Sequence, residues 1–96
     1  MPDTVLDIAN KVTRRYLTLG PQSQKSYKEF IMSCQIIEDP KTLGTFKQGK
    51  NLNCYVAELN NSIRVAYDVY NDKKNNRKVI KIFNLGDHKE VYGKDK

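Results

Sequence analysis

The one histidine of this chain, His88, lies in the string Gly86-Asp87-His88-Lys89-Glu90-Val91-Tyr92, just past an apolar run and four positions before a tyrosine. Imidazole titrates near neutrality, so it can take or give a proton at physiological pH. A tyrosine in the same segment can stack on a nucleobase or hydrogen-bond a phosphate. Arg64 and the lysines of the stretch that follows Pro40 (Lys41, Lys47 and Lys50) could supply positive charge to an oxyanion. A lone histidine on a Gly-Asp turn is most often a plain surface residue. Its neighbours are what raise a proton-transfer site at the tail.

Other chemistries are excluded by what is missing. The sequence has no G-x-x-x-x-G-K phosphate loop, no G-x-G-x-x-G, no G-x-S-x-G and no H-E-x-x-H. The carboxylates form no D-x-D cluster, and the two cysteines, Cys34 and Cys54, lack C-x-x-C spacing. With a single histidine, no metal site or other cofactor is expected, and an enzyme built on this chain would work without a metal. The cysteines read as half-buried free thiols that pack as small hydrophobes.

The elements that must position these residues form a chain of 96 residues, enough for one core of modest stability, so a single domain over 1–96 is expected. A hydrophobic fraction of 39% supports that core and argues against disorder. No apolar run approaches the roughly 18 residues of a membrane span, and Met1-Pro2-Asp3 does not open a secretory signal. The expectation is a cytoplasmic protein with no membrane partner. A net charge of +6 favours a polyanion or an acidic protein as partner.

Val5, Ile8, Ala9, Val12, Tyr16 and Leu19 recur at helical spacing and predict a helix over about 3–19, capped by Asp3 or Thr4 and stopped by Gly20-Pro21. Tyr27, Phe30, Ile31, Cys34 and Ile37 predict a second helix over about 22–38, ended by Asp39-Pro40. The stretch 40–53 has loop composition. The period then changes to two, predicting strands at about 54–59, 63–70 and 77–85. In the second, the odd positions should face the helices, leaving Arg64 and Asp68 on the other face. The last is apolar on both faces apart from Lys81 and Asn84, as a central or doubly covered strand would be. The expected fold is α+β: an antiparallel helical hairpin on one face of a three-stranded antiparallel sheet, the other face open.

Taken in order, these motifs resemble the RelE/ParE toxin superfamily. Asp39-Pro40 and Leu43-Gly44 match its D-P…L…G loop, and Arg64-Val65-Ala66-Tyr67 matches its R-V-x-Y strand. Gly86, His88, Glu90, Val91 and Tyr92 match the glycine, histidine, acidic, aliphatic and aromatic positions of the YafQ-like tail. The resemblance covers about residues 14–93, and the order and spacing of the motifs carry it. It implies a metal-independent endoribonuclease that cuts mRNA, in many members on the ribosome, and that pairs with an acidic antitoxin. On that resemblance His88 is the acid or base, Arg64 the phosphate clamp, and Tyr92 the catalytic aromatic that orients or stacks on the nucleotide. Lys41, Lys47, Lys50, Lys81 and Lys89 are the basic residues assigned to RNA.

Two departures stand out. Val56 and Glu58 occupy positions where the family carries cations, so Glu58 is either a catalytic base or a solvated strand residue. The family's first strand also has no counterpart in this reading. A non-catalytic RNA- or ribosome-binding module, or a ParE-like module that binds a protein target, is the alternative.

Overall fold

The computed structural model describes residues 3–48, 53–87, 89 and 91. Along the chain run strand β1 (Asp3–Ile8), helix α1 (Asn10–Leu17), helix α2 (Pro21–Ile36), a 3-10 turn (Pro40–Leu43), and strands β2 (Thr45–Gln48), β3 (Asn53–Glu58), β4 (Arg64–Asp72) and β5 (Arg77–Gly86). These strands form one mixed sheet in the order β1-β5-β4-β3-β2, with β1 parallel to β5 and the other pairs antiparallel. The α+β class and the meander of the last three strands stand. The three-stranded sheet is corrected to five strands.

The first correction falls at the start of the chain, where the strand read as missing is present. Residues 3–8 are not the beginning of a helix, and neither Asp3 nor Thr4 caps one. They pair in register with 77–82, Leu6 opposite Ile80 and Ile8 opposite Ile82. The Ala9 amide extends the ladder to the Ile82 carbonyl at 2.9 Å, and Ala9 then serves as the N-cap of α1. Parallel pairing with a strand this distant in sequence leaves no local signal. The helical spacing of the apolar residues from Val5 to Leu19 comes from a strand and a helix placed end to end. β1 covers one edge of β5, which makes β5 an interior strand, paired on both edges.

The second correction falls in the stretch read as loop. Pro40–Leu43 is a 3-10 turn whose Asp39 cap accepts from the Lys41 amide, and Thr45–Gln48 is an exposed edge strand. Gly44 joins them where no side chain fits: a Cβ there would lie 2.7 Å from the Val56 carbonyl oxygen and 2.8 Å from the Tyr67 hydroxyl.

The main core lies between the helices and one face of the sheet. Val12, Tyr27, Phe30 and Cys34 from the helices meet Ala57, Val65, Tyr67, Ile80, Ile82 and Leu85 from the strands. Tyr67 is fully buried, and its hydroxyl donates to the Pro40 carbonyl at 2.8 Å, which ties the 3-10 turn to the sheet. The odd positions of β4 do face the helices. Among the described residues, no helix is long and apolar enough to cross a membrane.

Candidate functional site

Strand alternation leaves the other face to Cys54, Val56 and Glu58 of β3, to Arg64, Ala66 and Asp68 of β4, and to Lys81 of β5. A register shift at Ala66/Tyr67 makes Phe83 the extra residue of a β-bulge: Asn84 pairs with Ala66, and Ile82 with Tyr67. Phe83 follows Lys81 onto this same face by alternation, and the bulge brings Leu85 back to the helical face. There Phe83 packs against a small apolar cluster of Cys54, Val56, Ala66 and Val91. Val91, beyond β5, is therefore packed against the face away from the helices. The Val91 amide donates to the Asp87 carbonyl at 3.1 Å.

Arg64 stands at the head of this face. It is the register partner of Glu58 on one side and of Gly86, the first residue of the tail motif, on the other. Its guanidinium lies 3.6 Å from the Glu58 carboxylate, with the arginine side chain 17% exposed and the glutamate 70%. Two of the sequence-assigned residues are thus in contact. Lys47 sits on β2 opposite Cys54, exposed, and shares with Glu58, Thr45 and Gly44 a groove of about 450 Å³ between the 3-10 turn and β3.

The remaining assignments are more scattered. Lys41 is exposed on the 3-10 turn, a turn in contact with α2. Lys81 is exposed on the open face but lies in register between Asp7 and Asp68, so carboxylates from both neighbouring strands flank it. Lys89 is exposed in the tail. His88, Tyr92 and Lys50 lie outside the described residues. Among the described residues, no three His, Cys, Asp or Glu side chains converge to hold a metal ion.

Titration shifts follow burial. Burial raises the Cys34 thiol to about 11 and the Tyr27 hydroxyl to about 12, and it pushes the Tyr67 hydroxyl above the ordinary tyrosine range. Burial also raises the Cys54 thiol, with the nearby Asp68 carboxylate adding to the effect. Both cysteines are buried and free, each in a different apolar cluster. Sequence reasoning gave Val91 and Phe83 no role. The aliphatic position of the tail motif was the available signal for Val91, and alternation with Lys81 was the signal for Phe83.

This layout, a helical layer on one face of a β1-β5-β4-β3-β2 sheet with Val91 packed on the other, is the RelE-like fold. The chain is similar to the crystal structure of the archaeal RelE-RelB complex from Pyrococcus horikoshii OT3, with a TM-score of 0.63, 24% identity, and coverage of 91% of this chain and 96% of that one. No family model matches the chain. No curated protein matches its sequence.

Proposed function

We propose that the chain is the toxin of a toxin–antitoxin pair and acts as a metal-independent endoribonuclease on mRNA, free or ribosome-bound. The observation that carries this reading is the position of Arg64: on the open sheet face, in register with Gly86, where the tail motif containing His88 and Tyr92 begins. In the reaction the ribose 2′-oxygen forms a bond to the adjacent phosphorus while the bond to the 5′-oxygen breaks. A base takes the 2′-proton, an acid protonates the leaving oxygen, and a cation stabilises the phosphorane between them. Arg64 is the cation, His88 the acid or base, and Tyr92 the aromatic that holds the nucleotide. Lys47, on the groove beside Glu58, steers the backbone, with Lys41, Lys50, Lys81 and Lys89 contributing to the field around it.

An acidic antitoxin as partner agrees with the net charge of +6. It also agrees with the apolar groove that Ile8, Tyr16, Tyr27, Ile31 and Met32 form beside Lys28 on the helical layer. The archaeal neighbour is itself a RelE-RelB complex. One observation favours a second reading, a RelE-fold module that binds RNA or a protein without cleaving. The β3 positions on the open face carry buried Val56 and anionic Glu58 rather than cations.

Induced expression in a bacterium separates the two, with wild type beside His88→Gln and Tyr92→Ala and mRNA followed by primer extension. Growth arrest with new mRNA ends, both lost in the variants, is the expected result. Arrest with intact mRNA would favour the binding module, and normal growth would overturn the toxin reading.

A further inference from the structure

We propose that the turn of the β4–β5 hairpin is a second RNA-binding surface, separate from the Arg64 site, on which Lys73 and Lys74 hold the phosphate backbone of an RNA helix. The proposal goes beyond the ribonuclease reading and does not rest on it: a chain that left mRNA uncut would lose that reading and keep this one.

The segment 71–78 holds Lys73, Lys74, Arg77 and Lys78 against one carboxylate, Asp72, so this short stretch carries half of the chain's net charge of +6. It lies at the other end of β4 from Arg64, roughly 27 Å away along an extended strand. β1 begins opposite Arg77, and the register of β3 on β4 runs from Arg64 to Tyr67. Among the described residues, the turn 73–76 therefore lies past the ends of both neighbouring strands. Between the two cationic zones Lys81 stands in register with Asp7 and Asp68, which interrupts the positive potential along the face.

Internal contacts sort the four cations. The Asp72 carboxylate accepts from the Asn75 side-chain amide at 2.8 Å, from the Asn75 backbone N–H at 3.3 Å and from the Arg77 guanidinium at 3.2 Å. These bonds close the turn, which Asn76 completes in the left-handed region at φ 52°. Arg77 is thereby committed to Asp72, and Lys78 donates to the Glu38 carbonyl just past α2. Lys73 and Lys74 are left, both exposed on a turn whose backbone is held from within.

What the segment lacks selects the partner. It contains no apolar and no aromatic residue. A protein partner needs an apolar centre to its interface, which this chain offers in the groove on the helical layer. Single-stranded RNA binds largely by stacking its bases on rings, and the turn has none. The backbone of an RNA helix asks only for cations and polar groups. Lys73 supplies the charge beside Asn71 and Asn76 in a hollow of about 300 Å³, and Lys74 adds to it from the next position.

The experiment measures binding of the full chain to two probes over a range of salt. One is a blunt RNA duplex of about 16 base pairs. The other is a single strand of about six nucleotides with 2′-O-methyl riboses, which has no 2′-hydroxyl to attack the phosphate. Lys73→Gln/Lys74→Gln should weaken duplex binding by about tenfold or more and lower its slope of log affinity against log salt by about two, one for each phosphate contact. The same variant should bind the single strand within about twofold of wild type and keep its melting temperature, since both side chains are exposed. Arg64→Gln should leave duplex binding unchanged. Equal losses on both probes in the lysine variant would mean a general field and no second surface. An unchanged duplex slope would take the RNA helix off the turn, and a duplex loss in Arg64→Gln as large as in the lysine variant would merge the two surfaces. Loss of affinity for polyglutamate with duplex binding intact would give the turn to an acidic protein. Each of these results overturns the proposal.

Discussion

Arg64 and Glu58 are register partners across β4 and β3, their charged groups 3.6 Å apart, with the arginine stem largely covered and the carboxylate 70% exposed. The geometry gives the guanidinium a fixed direction and leaves its partner in water. An exposed pair of this kind is worth about 0.2–1 kcal/mol. A phosphate that offers charge-assisted hydrogen bonds can therefore take the guanidinium over at little cost.

Glu58→Gln tests what the carboxylate does. If it only holds Arg64, the variant should keep kcat and bind RNA up to about fivefold more tightly, matching the upper range for an exposed pair. Filter binding and cleavage kinetics measure both. A fall in kcat of about a hundredfold or more would make Glu58 the catalytic base instead.

Arg64→Gln should remove the clamp. A charge-assisted hydrogen bond contributes about 1.5–3 kcal/mol, so kcat/KM should fall by roughly 10- to 150-fold. Loss of one phosphate contact should also lower the slope of log affinity against log salt by about one. Titration of RNA binding at several salt concentrations checks this, and an unchanged slope would place Arg64 away from the phosphate.

The strands around this pair were readable because their signals are local. The alternation in Ile63–Val69 assigns Arg64 to the open face, and the apolar run Val79–Leu85 announces a covered strand. β1 was not readable, since its partner β5 lies some seventy residues on and its apolar positions continue into the stripe of α1. β2 was hidden for a different reason. All four of its residues are exposed, so no alternation marks it as a strand. The site divides the same way. Lys41 and Lys47 share one polar stretch of sequence, yet Lys47, past Gly44, lines the groove beside Glu58 and Lys41, on the 3-10 turn, does not.

Gly44→Ala should destabilise the fold. Its Cβ would meet the Val56 carbonyl at 2.7 Å and the Tyr67 hydroxyl at 2.8 Å, one of them backbone and the other a fully buried ring. Overpacking of this kind costs about 1–3 kcal/mol. For a domain of this size that lowers Tm by roughly 4–8 °C per kcal/mol, and a thermal melt reads it directly. A Tm within a degree of wild type would mean that the 3-10 turn can move away from β3.

Alkaline pH should weaken the fold through its buried acids. Cys34 is raised from 9.0 to about 11 and Tyr27 from 10.0 to about 12, in both cases chiefly by burial. Below pH 9 these groups are neutral in the folded and the unfolded chain alike, so they do not tilt the balance. Above it the unfolded chain releases the Cys34 proton first, the folded chain holds on to it, and stability falls as pH climbs from 9 toward 11. The Tyr27 hydroxyl adds to the fall between 10 and 12. Each group contributes a slope approaching about 1.4 kcal/mol per pH unit within its window. Urea melts across pH 8–12 should show this decline, and Cys34→Ala, though less stable throughout, should show a shallower one between pH 9 and 11. A slope unchanged in Cys34→Ala would assign the alkaline transition to the tyrosines, foremost Tyr67, whose hydroxyl holds the Pro40 carbonyl.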